Sequence, residues 1–89
     1  MKMKKVRDGE YIVRWKNGNH CIIAHYSEGV LNGDYKVFHE NGQLAWNVNF
    51  VQGLMESNAV EYNEKGEKLH TCFYTHGKST DIKFYGSKY

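Results

Sequence analysis

Between residues 10 and 84 the apolar and polar side chains alternate in short runs, and each run ends at a glycine or an Asn-Gly pair. A period of two is the mark of half-buried strands, and Asn-Gly between two such runs marks a hairpin. Residues 10–16 (EYIVRWK) and 19–27 (NHCIIAHYS) flank Asn17-Gly18; residues 34–40 and 43–51 flank Asn41-Gly42; residues 59–64 and 67–75 flank Lys65-Gly66. The punctuation has a fixed step of twenty-four: Gly18, Gly42 and Gly66, then Gly29, Gly53 and Gly77, with an aromatic at Tyr26, Phe50 and Tyr74. A fixed step of this size is the signature of a repeat architecture. The expected fold is all-β: an elongated antiparallel sheet of three consecutive 24-residue β-hairpin units at residues 9–32, 33–56 and 57–80. A partial fourth unit follows at residues 81–89, all within a single domain, 1–89, and no helix longer than about a turn is expected.

Because twenty-four is even, each parity class is expected to keep one side of the sheet in every unit. The even class is the more apolar, with Ile12, Ile22, Ala24, Phe38, Leu44, Trp46, Val48, Phe50, Val60, Cys72, Ile82 and Phe84 among its members. Trp46 stands at its centre. For Phe38 to share a face with Trp46, His39 must oppose Gln43 across a three-residue loop with glycine at a bulge; a two-residue turn would instead bring Tyr35 and Val37 to Trp46. The first arrangement is the one expected here. It leaves Trp15, Tyr35, Val37 and His39 on the other face as a candidate partner-binding surface.

Charge and chemistry narrow the function. The net charge of +2 is unevenly laid out: Lys2, Lys4, Lys5 and Arg7 open the chain, and seven acids against two lysines fill residues 28–67. Four lysines against Asp81 then close it. The basic opening is followed by Asp8-Gly9-Glu10, with no apolar run for a membrane span or a signal peptide, so a cytoplasmic protein is expected. Two cysteines, Cys21 and Cys72, are too few for a disulfide framework. The five histidines hold no common place in the units, and none sits in a serine-histidine-aspartate arrangement. His70 and Cys72, two apart on one strand, lack further metal-ligand partners in the sequence. A non-catalytic chain without metal or cofactor is expected.

The residues GDYKVFHENGQLAWNVNFVQGLMES resemble the MORN repeat variant, in which a glycine, an aromatic pair, Asn-Gly and a short strand ending in an aromatic precede a polar residue and glycine. The resemblance covers residues 9 to about 78 and departs from the pattern at Arg14-Trp15 and at Ser57, which stands where Gly9 and Gly33 stand. It implies stacked hairpins used for interaction, an antitoxin-like or phage counter-defence inhibitor, and no shared catalytic residue. The expected function is therefore a protein-binding module that occludes a partner protein, a toxin or defence effector. The alternative is nucleic-acid binding through Lys2, Lys4, Lys5 and Arg7 with exposed aromatics, against which the acidic centre argues. Complementary ends and middle also point to a homodimer. Attachment to a membrane ranks last.

Overall fold

Two kinds of turn, alternating along the chain, build the architecture. At Glu28-Gly29, Gln52-Gly53 and His76-Gly77 both residues have positive φ, 52° and 88°, 51° and 86°, 51° and 84°. These are type I′ turns, whose twist matches that of the strands they join. Glycine removes the steric cost at the second position; Glu28, Gln52 and His76 bear it at the first. The other turns are longer. The His39 N–H donates to the Gln43 carbonyl at 2.8 Å and the Gly42 N–H to the His39 carbonyl at 2.9 Å, with Gly42 at φ 95°. Trp15 to Asn19 and Asn63 to Glu67 repeat the same pair of bonds. Each is a three-residue loop closed by a glycine bulge, as the sequence predicts.

The computed structural model describes residues 8–84. They form an eight-stranded antiparallel sheet: β1 (Gly9–Arg14), β2 (His20–Ser27), β3 (Val30–Leu31), β4 (Gly33–Phe38), β5 (Leu44–Val51), β6 (Leu54–Tyr62), β7 (Lys68–Thr75) and β8 (Lys78–Phe84). The order is that of the sequence, β1-β2-β4-β5-β6-β7-β8, with the short β3 paired to β2. The two edges do not meet, so the sheet is open. Extents of 57 × 36 × 15 Å are those of a single layer, and the radius of gyration of 15.1 Å exceeds the roughly 12 Å of a compact chain of this length. No helix among the described residues is long and apolar enough to cross a membrane.

Side-chain parity does not follow the expected scheme. Phe38 does oppose Leu44, but one residue further the register slips and Val37 opposes Trp46, leaving Ala45 as the extra residue. Identical slips leave Cys21 unpaired between Val13↔Ile22 and Arg14↔His20, and Leu69 between Glu61↔His70 and Tyr62↔Lys68. Each added residue turns one strand over relative to its neighbour. Odd positions of β1, β4 and β6 therefore share a face with even positions of β2, β5 and β7. Tyr35 and Val37 lie with Trp46 and Val48, not opposite them.

The register also explains how Ser57 fits a glycine position. Gly9 and Gly33 have φ of 90° and 116°, and Ser57 takes a positive value too, 70°, inside the irregular pairing of β5 with β6.

Candidate interaction face

The face just defined is where the sheet buries what it buries. Small side chains lie against the backbone and large rings lie over them. Ala24, Val48 and Ala59 are 1%, 2% and 4% exposed, and nothing else described is buried as an apolar core. Tyr35 opposes Val48 and packs edge-on against both of its flanking rings, Trp46 at 5.9 Å and Phe50 at 5.5 Å. Tyr11 opposes Ala24 and packs edge-on against Tyr26 at 6.0 Å. Such contacts add about 0.5–1.5 kcal/mol each beyond the area they bury. Between the turns, the described residues in this register include Tyr11, Val13, Ile22, Ala24, Tyr26, Tyr35, Val37, Trp46, Val48 and Phe50, continuing through Met55, Ala59, Glu61, His70, Cys72 and Tyr74 to Ile82 and Phe84. Glu61 is the one carboxylate there, and no lysine or arginine joins it. The opposite face carries Glu10, His25, Asp34, Lys36, Asn47, Asn49 and Thr71 among its members, together with Ile12, Ile23, Val60 and Phe73.

Of the four residues expected to bind a partner, Tyr35 and Val37 lie on the aromatic face. Trp15 and His39 lie at the long turns, where their ring nitrogens tie neighbouring hairpins together. The Trp15 indole Nε1–H donates to the Phe38 carbonyl at 3.0 Å. His39 Nε2 lies 2.9 Å from the Tyr62 carbonyl; that oxygen only accepts, so Nε2 carries the proton. Asn17 and Asn41 add a parallel rung, donating through Nδ2 to the carbonyls of Glu40 and Glu64 at 2.9 Å each. On the type I′ side the acceptors are side chains: Asp8 Oδ1 for the Glu28 N–H, Asn32 Oδ1 for the Gln52 N–H and Glu56 Oε2 for the His76 N–H, at 3.0, 3.1 and 2.7 Å. Trp15→Phe keeps an aromatic side chain, though a smaller one, but leaves the Phe38 carbonyl without that donor, and is expected to lower stability by about 1 kcal/mol or more in urea denaturation. Lys2, Lys4, Lys5 and Arg7 lie outside the described residues.

Toward the β8 edge the face changes chemistry. A groove of about 400 Å³ is lined by Trp46, Ala59, Glu61, His70, Cys72, Tyr74, Ser79, Ile82 and Phe84. In it His70 Nε2 lies 3.3 Å from Glu61 Oε1, with Nδ1 buried and unbonded. Hydrogen bonding with Cys72 first, then burial and the charge of the Cys72 thiolate, hold the Tyr74 phenol above its ordinary pKa. Cys21 and Cys72 are both free thiols. Among the described residues no group of three or more His, Cys, Asp or Glu side chains is arranged to hold a metal ion. The sequence singles out His70 and Cys72, but Glu61 and Tyr74 join them only through a register that the bulges set.

Comparison with protein-family models, with curated proteins and with solved structures finds no match for the chain.

Proposed function

We propose that this chain is a non-catalytic protein-binding module of MORN-like hairpin units, an antitoxin-like or counter-defence inhibitor that occludes a partner protein with its aromatic face. The observation that supports this reading is the composition of that face: Tyr, Trp, Phe and Met with a single, partnered carboxylate, on a layer whose other side holds the charges. Depletion of charge with enrichment of aromatics is the compositional mark of an interface core, and Tyr and Trp carry much of the energy in such interfaces. A sheet already ordered by its own hydrogen bonds loses little freedom on binding. Occlusion asks for no reactive group.

Tyr11 is the ring on this face that suits a test, since it lies on an edge strand and is 37% exposed. Glu10, beside it, points to the opposite face. Affinity capture from the native host with wild-type protein, Tyr11→Glu and Glu10→Lys is expected to return the same partner with the first and third and to lose it with the second. Circular dichroism checks that all three are folded. Equal capture by Tyr11→Glu, or loss only with Glu10→Lys, counts against the aromatic face.

A further inference from the structure

The groove beside β8 lies where an expected ring is missing. Tyr11, Tyr35 and position 59 are twenty-four residues apart, and each opposes a small residue on the next strand: Ala24, Val48 and Cys72. In the first two cases a tyrosine ring lies above that residue, which is left 1% or 2% exposed. At the third the ring is absent, because position 59 is alanine, and Cys72 is only half-buried. The side chains that would flank such a ring, as Trp46 and Phe50 flank Tyr35, are His70 and Tyr74. Both line the groove, with Trp46 and Glu61 forming the rest of its inner wall and Ala59 its floor.

The walls have changed character together with the floor. Where the central hairpin has Val37, Trp46, Val48 and Phe50, the corresponding positions here are Glu61, His70, Cys72 and Tyr74. A socket shaped for an aromatic ring is thus lined with groups that hydrogen-bond, and its one carboxylate stands in the acidic stretch of residues 28–67. Its outer rim is apolar and open: Ile82 is 53% exposed and Phe84 77%. The socket is continuous with the aromatic face.

We propose that the groove between Trp46, His70, Tyr74 and Ile82 is a socket for a tyrosine side chain of the partner protein, presented beside basic residues that meet Glu61. This rests on the protein-binding reading of the aromatic face and names the chemistry of its central contact. The inserted phenol takes the place that Tyr35 fills one unit earlier. Ala59→Tyr supplies the ring from within the chain and closes the socket.

The test uses capped lysine–tyrosine–lysine and lysine–leucine–lysine tripeptides as probes and the indole N–H resonances as reporters. Trp46 lines the groove, whereas Trp15 is not part of its lining, its indole N–H donating to the Phe38 carbonyl, and serves as the internal reference. The expected result is a saturable shift of Trp46 and not of Trp15, with the leucine probe weaker by at least about tenfold, as for the loss of a buried anchor. Ala59→Tyr is expected to stay folded and to lose the response; Ala59→Leu serves the same purpose if the tyrosine variant does not fold. Undiminished binding by the filled variant, equal shifts of both indoles, or no shift at all in wild type overturns the proposal. So does a response that emerges only when residues 85–89 are deleted, since the chain itself would then occupy the socket. Failure of the tripeptide while Tyr11→Glu still loses the captured partner removes the socket and leaves the face; retention of the partner by Tyr11→Glu removes the face.

Discussion

Tyr35→Glu is expected to destabilise the sheet by about 3 kcal/mol or more, the scale of removing a large ring from a packed site. The ring lies over Val48, the largest fully buried side chain among the described residues, and touches Trp46 and Phe50 on either side. Truncation uncovers all three at once, and a carboxylate placed among them has no basic residue on that face to meet it. Against a typical total of about 5–15 kcal/mol, and less for a single layer with so few buried residues, such a loss brings the chain close to unfolding. Urea denaturation followed by tryptophan fluorescence measures it, with Tyr35→Phe expected to stay near wild type because the ring remains. A Tyr35→Glu midpoint equal to that of wild type would mean that the ring is not a lid over Val48. The expectation reverses the sequence reading, in which Tyr35 lies on a partner-binding surface on the other face from Trp46.

The reason for that reversal is a single inserted residue. The turns are legible because positive φ leaves a chemical trace: glycine at positions 18, 29, 42, 53, 66 and 77, with asparagine before two of them. The bulges leave none. Cys21, Ala45 and Leu69 occupy equivalent places and share no property that an L-residue in a strand would not have. Parity counted through a bulge inverts, so an apolar census by odd and even numbers merges residues from both faces, and Ile12 and Trp46 fall together although they lie on opposite sides.

The ties between hairpins were hidden for a different reason. Trp15 and His39 are unlike side chains with one shared ability, a ring N–H that reaches the carbonyl twenty-three residues on. Asp8, Asn32 and Glu56 likewise share only an acceptor oxygen within reach of a turn N–H. A pattern based on residue identity passes over such substitutions, and hydrogen-bond geometry preserves them. The tyrosine step at positions 11 and 35, by contrast, was open to view, and Ala59 as its exception becomes meaningful once the register shows what the ring covers.

Duplicating residues 33–56 immediately after Glu56 is expected to give a longer and more stable sheet. The inserted copy would meet chemistry that already works at both of its boundaries. Glu56, which accepts the N–H of His76, stands where the copy needs an acceptor for its second Gln52; the second His39 meets the Tyr62 carbonyl, and the first meets that of the copied Phe38. A second Tyr35 covers a second Val48 between its own Trp46 and Phe50. In repeat architectures stability is close to a sum of unit and neighbour terms, so twenty-four further residues at roughly 0.05–0.15 kcal/mol each add about 1–4 kcal/mol. That corresponds to a rise in melting temperature of about 4–8 °C for each kcal/mol in a domain of this size. Two more strands also lengthen the particle by about 10 Å across the sheet, which small-angle X-ray scattering resolves. The matched control is the same insert without its Ala45, which removes one bulge, turns the second Tyr35 to the opposite face from its Trp46, and is expected to fall below wild type in denaturation midpoint. A 24-residue insert that destabilises, or a 23-residue insert that behaves as well, would show that neither the step nor the bulge governs how one hairpin stacks on the next.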